Sequence, residues 1–216
     1  MPAVLIANIS PRSMGKTTDT GMMAHALHEI GYTVRAWDAD ESEHLSQWNE
    51  AAGGFPFPVE KNATATFATD VEPLRDGIDL VDVGHTENHP HLADSVLKIA
   101  DLAIVHMEPS MADWQRVTMP RTSTPVADMV ARSAYVRPDR KAPPVWVLLN
   151  RVRTGVRSAK DIRDMLRDAE WNVFTVMIPV LDDLKQATAF SVERAASGPF
   201  GELVTEMETK GLIKRG

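Results

Sequence analysis

Short apolar runs alternate with longer amphipathic stretches along this 216-residue chain, and the alternation predicts its elements. Residues 4–9 form a nearly continuous apolar run closed by turn formers, as in a strand buried on both faces. Over 17–30 the apolar positions Met22, Met23, Ala26, Leu27 and Ile30 share one helical face, and Gly31 provides a C-terminal stop. The same reasoning places strands at 33–37, 78–83, 102–106, 145–149 and 173–178. It places helices at 43–52, 91–100, 158–169, 184–196 and 200–210, with a mostly helical stretch over 111–136 interrupted by Pro120 and Pro125. Strands separated by helices predict βαβ units. The expected fold is therefore α/β: one domain over 1–216, with a mainly parallel twisted sheet and helices on both faces.

In such a sheet ligands gather at the carboxyl ends of the strands. The polar residues with chemical potential fall there: Ser10 to Thr18 after the first strand, Asp38 and Asp40 after the second, then Asp82 and Asn150. Gly15-Lys16-Thr17-Thr18, set between a strand and a helix, reads as the second half of a phosphate-binding loop. Its backbone N–H groups cradle phosphates, the lysine reaches the β/γ oxygens, and the threonine hydroxyl ligates Mg²⁺. The first half departs from the standard pattern, because Ser10 stands where the loop should open with glycine. Phosphoryl transfer asks the protein mainly for positioning and charge neutralisation. Lys16, Thr17, Asp38 or Asp82, and Asp40 supply a candidate for each part.

Composition narrows the class. A hydrophobic share of 44% with 25% charged residues is ordinary for a soluble domain. No apolar run approaches the roughly 20 residues of a membrane span, and no secretory signal pattern opens the chain. The lack of cysteine rules out disulfides and thiolate-bound metals and fits a reducing cytoplasm. A net charge of −7 counts against a constitutive nucleic-acid binder, but the charge is uneven. Residues 132–167 hold ten Lys and Arg against three Asp, or +7, which leaves −14 on the rest. That segment is either an ordinary solvated surface or a face for a polyanion.

Taken in order, these motifs resemble the ParA/MinD family of deviant Walker ATPases, particularly its small plasmid-partition members. The family loop Lys-Gly-Gly-x-Gly-Lys-Thr-Thr aligns with Pro11-Arg12-Ser13-Met14-Gly15-Lys16-Thr17-Thr18, and its Asp-x-Asp strand end with Asp38-Ala39-Asp40. Its next aspartate aligns with Asp82, its Pro-Ser turn with Pro109-Ser110, its Asn-Arg with Asn150-Arg151, and its Ile-Pro with Ile178-Pro179. The resemblance implies a P-loop NTPase fold with ATP/ADP and Mg²⁺ as cofactors. By position it implies that Ser13, Met14, Gly15, Lys16, Thr17 and Thr18 hold the phosphates, with Thr17 on Mg²⁺. Asp38 would lie near the metal waters, Asp82 would be the Walker B-like carboxylate, and Asp40 would position the hydrolytic water. Asn150 would bond the adenine, with Arg151 beside it, and Pro179, Val180 and Leu181 would line the base.

The resemblance also implies a slow, partner-stimulated ATPase that forms an ATP-dependent homodimer and acts in plasmid or chromosome partition. It implies non-specific DNA binding, with Arg151, Arg153, Arg157 and Lys160 as contacts, and a centromere-binding partner protein. The expected location is cytoplasmic, with nucleoid association in the ATP state and no membrane contact.

One departure bears directly on function. The family's signature lysine, which reaches across the dimer, falls on Pro11, and the two following glycines on Arg12 and Ser13. Either Arg12 takes the trans role as an arginine finger does, or the protein is a nucleotide-binding positioning scaffold with little turnover. A metabolic enzyme of dethiobiotin synthetase type is a third reading, which the Asp-x-Asp strand end suits poorly. The segment His85-Thr86-Glu87-Asn88-His89-Pro90-His91 reads as a solvated switch loop, with metal binding or phosphate sensing by His85 as alternatives. His106 reads as a satisfied core histidine, and Trp48, Trp114, Trp146 and Trp171 as core or interface residues.

Overall fold

A computed structural model describes residues 3–121, 123–153, 155, 157–180 and 190–215. The first apolar run forms β1 (Val4–Ile9), the middle strand of a seven-stranded sheet. Beside it lie β4 (Ile78–Val83) and β5 (Leu102–Met107). Beyond β4 come β2 (Val34–Ala39) and β3 (Val59–Lys61), and beyond β5 come β6 (Val145–Leu149) and β7 (Asn172–Val173). Every pairing is parallel.

Parallel neighbours need long crossovers, and helices supply them. One face carries α1 (Lys16–Ile30) and α2 (His44–Ala51), joined near the C-terminus by α8 (Pro199–Thr209). Its core packs Met23, Leu27, Trp48, Phe200 and Leu203 against Ile6, Leu80 and Ile104. The other face carries α3 (Phe67–Asp70), α4 (Pro90–Leu97), α5 (Met111–Thr118), α6 (Val126–Ser133) and α7 (Ser158–Asp168). Phe67, Leu92, Val96, Val117, Met129, Ile162 and Leu166 close that side.

The elements differ from the periodicity reading in three places. β3 and α3 were not expected, and both are too short to carry a periodic signal. Of the strand expected over 173–178 only Val173 belongs to the β7 ladder, while the Phe174 and Ile178 N–H groups still donate to the Val147 and Leu149 carbonyls of β6. Glu206 of α8 accepts the N–H groups of Thr175 and Val176, which removes them from the ladder. Of the helix expected over 184–196, residues 184–189 lie outside the described residues. Its end is a single 3-10 turn, Ala195–Ser197, capped by the Glu29 carboxylate.

The two-residue period of the strands positions the site. Ile6, Ala36, Leu80, Ile104 and Leu148 all face the α1 side. Two residues further along each strand, on the same face, come Asn8, Asp38, Asp82, His106 and Asn150. All five are buried. Asn8, Asp38 and Asp82 occupy one register level across β1, β2 and β4. A polar row thus runs across the carboxyl edge of the sheet, on the side where α1 begins.

Candidate functional site

The loop between β1 and α1 is shaped by one residue that must be glycine. Gly15 caps α1 with φ near +80°, a left-handed conformation that a β-carbon resists. A β-carbon there would also stand 2.5 Å from Nδ2 of Asn150. Asn150 braces the loop from below: Nδ2 donates to the Met14 carbonyl at 2.8 Å and to Asp19 Oδ2 at 2.7 Å, and Oδ1 accepts the Arg151 N–H. Its amide protons are spent inside the protein, so the adenine contact expected of Asn150 is not open to it in this arrangement. The Met14 side chain is buried in the core, leaving only its backbone near the cleft.

Lys16 is buried and ion-paired through Nζ with Oδ1 of Asp82. Asp82 is wholly buried, and its Oδ2 has no partner among the described residues. A charged oxygen left without a donor costs free energy in a low-dielectric interior. A divalent ion or its waters would satisfy that oxygen, and the half-buried Thr17 lines the adjoining cleft. These residues therefore fit a magnesium-bound phosphate group.

Asp38 behaves differently from the expectation that it serves the metal waters. Its Oδ2 accepts the Ser46 N–H at 2.8 Å and its Oδ1 the Asp40 N–H at 3.3 Å, so it anchors the start of α2. Burial pushes its carboxyl above the usual range. Asp40 reaches the cleft, where Ser42 donates to its Oδ1 from both N–H and hydroxyl. Burial works to raise this carboxyl, but the Ser42 bonds and the Lys16 charge hold it below its ordinary value. The cleft has a volume of about 500 Å³, and Arg12, Ser13, Thr17, Thr18, Asp40 and Arg151 are among its lining residues. That is the size of an ordinary small-ligand site.

Arg151 takes a left-handed backbone, φ 51°, and its guanidinium pairs with Glu108 at 2.7 Å. Its Nε would be 3.5 Å from a β-carbon on Gly15, so the side chain lies over the loop. Pro179 and Val180 pair with Val152 just beyond this arginine, and neither lines the cleft. Leu181 lies outside the described residues.

The basic segment is not one face. Arg132 pairs with Asp94, and Arg137 donates to carbonyls of Leu97 and Ala100, both before β6 begins. Arg151, Arg153, Arg157 and Lys160 are exposed and follow β6, at the loop's edge of the sheet. β6 itself separates the two groups, a division that charge counting along the sequence cannot register.

One residue escaped the sequence reading, and two features it named do more than expected. Asp19, in the first turn of α1, is buried and bonds both Asn150 and His106, and burial pushes its carboxyl above the usual range. His106 was expected only as a satisfied core residue. It also contacts Asn8 Oδ1 at 2.9 Å and so links β1, β5 and α1 beneath the loop. The 85–91 segment is less solvated than expected: Thr86 is buried, and the N–H groups of Thr86 and Glu87 donate to Ser10 and Pro11 carbonyls. His85 and His89 line the cleft, whereas His91 faces a separate cavity beside Asp94 and Arg132. Among the described residues no group of three His, Asp or Glu side chains could hold a metal ion. No described helix is long and apolar enough to cross a membrane.

No protein-family model matches the sequence, and no curated protein matches it. Solved structures do. An ATP complex of a McdA variant from Cyanothece superposes with a TM-score of 0.71 at 12% identity, covering 99% of this chain and 98% of that one. A candidate plasmid partition protein from Borrelia burgdorferi bound to AMPPNP gives 0.67 at 12% identity, covering 97% and 100%. Cobyrinic acid a,c-diamide synthase from Mycobacterium smegmatis, with an ATP analogue and magnesium, gives 0.64 at 15% identity, covering 98% and 97%. At such identities the likeness speaks of architecture, and with the parallel sheet and the loop after its middle strand it establishes that this chain has the ParA/MinD-type P-loop fold.

Proposed function

We propose that the protein is a nucleotide-dependent switch. It binds MgATP at 10–18, hydrolyses it slowly, pairs with a second copy across the cleft and holds DNA through the basic residues beyond β6. One observation carries the reading above the rest. Gly15, Lys16 and Thr17 form an intact half-loop at the end of the middle strand, and Lys16 rests on a buried carboxylate with an unpartnered oxygen. Lys16 and Mg²⁺ would neutralise the phosphates, Thr17 and Asp82 would hold the ion or its waters, and Asp40 would orient the attacking water. The similar structures named above, carrying ATP or its analogues, support a nucleotide as the ligand. A partition or positioning role follows the McdA and partition-protein likeness. The synthase on the same fold makes a small-molecule ligase the rival. Localisation to the cytoplasm, with nucleoid association when ATP is bound, and stimulation by a centromere-binding protein belong to the same proposal.

The test is titration with a fluorescent ATP analogue, with and without Mg²⁺. Wild type should bind in a Mg²⁺-dependent way. Thr17→Ala should lose the Mg²⁺ dependence, and Lys16→Gln should lose binding by at least about tenfold, the loss of a charge-assisted contact. Binding that ignores both substitutions would refute the site.

A further inference from the structure

The cleft contains an imidazole that the phosphate-binding parts leave unused. His85 follows β4 directly after Gly84, and its Nε2 stands 3.4 Å from Ser13 Oγ on the outer half of the loop. The segment carrying it is tied down on two sides. Thr86 and Glu87 donate backbone N–H groups to the Ser10 and Pro11 carbonyls, and Gly84 donates to the Ala39 carbonyl next to Asp40. The ring is therefore held at the mouth, with the altered half-loop on one side and the Asp40 strand end on the other.

The charges that face it come from several elements: Lys16 of α1, Asp40 after β2, Asp82 of β4, and His89 at the start of α4. Arg12, Glu41, His44 and Arg151 share the cleft. Resting on the hydrolase reading above, we propose that His85 is the general base for the attacking water that Asp40 orients. In that step the water oxygen bonds to the terminal phosphorus and a water proton passes to Nε2. The bond from phosphorus to the bridging oxygen breaks, and ADP carries away the electron pair. Partial burial, reinforced by the Lys16 charge, holds the imidazole below its ordinary pKa against the pull of Asp40 and Asp82. The ring is then neutral at pH 7, with a lone pair available, which is the form a base requires. The backbone bonds from Thr86 and Glu87 to the Ser10 and Pro11 carbonyls hold the segment that carries the base against the loop.

Single-turnover hydrolysis of radiolabelled ATP, from pH 5 to 8, would test this in wild type, His85→Ala and His85→Gln, with fluorescent-ATP binding measured alongside. Both variants should bind within about twofold of wild type yet hydrolyse roughly 10²-fold more slowly. The acid-side fall in the wild-type rate, below the ordinary histidine pKa, should be absent from both. Rates within threefold of wild type, or an acid limb that persists in His85→Gln, would overturn the role. If His85→Ala fails to fold by circular dichroism, the glutamine variant decides. Wild type that binds ATP without turnover also overturns it while leaving the nucleotide site standing, and wild type that does not bind removes both readings.

Discussion

His25 is the residue with the plainest link between environment and measurable stability. It sits on the buried side of α1, packed edge-on against Phe55 and Phe57 with Trp48 nearby, and its Nε2 has no partner among the described residues. Burial pushes its pKa down to about 4, with Glu29 pulling weakly the other way. Between about 4 and the ordinary 6.5, the unfolded chain takes up a proton that the folded chain refuses. Its contribution is therefore fully present above 6.5 and is lost as pH falls toward 4. The loss should be about 2 kcal/mol once solvent screening is allowed for. Asp19 and Asp38, whose carboxyls burial raises, act in the opposite sense. Urea denaturation at pH 7 and 4.5, in wild type and His25→Phe, isolates the term. The variant should lose less stability on acidification, and an identical loss would refute the assignment.

At the scale of elements, α1 and α2 meet at a contact with no slack. A β-carbon on Gly21 would lie 2.2 Å from Cζ3 of Trp48, whose indole is fully buried and donates to the Phe190 carbonyl. Glycine inside a helix costs intrinsic helix propensity, so its presence here marks packing that nothing larger satisfies. Gly21→Ala should gain helix propensity and still lose about 1–3 kcal/mol through overpacking, read from the urea midpoint. A neutral or stabilising result would mean that α2 can shift away from α1. The strands tell a complementary story about legibility. Their apolar runs marked β1, β4 and β6 to the residue, because a strand buried on both faces needs nothing beyond its own sequence to be recognised. β3 gave no signal, since a three-residue edge strand exists only by pairing with β2.

For the whole molecule the question is how two copies and a polyanion would meet the carboxyl edge. Arg12 and Ser13 are exposed at the mouth of the cleft, and Arg153, Arg157 and Lys160 are exposed beyond β6 at the same edge. If that edge is the shared face, light scattering should report a dimer with a non-hydrolysable ATP analogue and a monomer with ADP. Arg12→Ala should weaken the dimer by roughly 10–100-fold, the range of a lost charge-assisted hydrogen bond. Replacing Arg153, Arg157 and Lys160 together should lower the salt slope of DNA binding by about 3, near one per phosphate contact. A dimer indifferent to nucleotide, or an unchanged slope, would sink the corresponding surface.

The sequence by itself determined that β1, β4 and β6 form and where each of them ends. Apolar content decides both locally, and that placed Asp82 and Asn150 at the carboxyl edge beside the Gly15-Lys16-Thr17 loop. Only the tertiary structure decided what those side chains do there. Asn150 reaches Asp19 across 131 positions and Lys16 meets Asp82 across 66, contacts that exist because the strand order sets β4 beside β1 and β6 one strand further out, next to β5. The same order turned Asp38 toward α2 and tied the 85–87 segment to Ser10 and Pro11. Hydrogen-bond partners are set by what the folded neighbours leave unsatisfied, and that is a property of the assembled sheet edge.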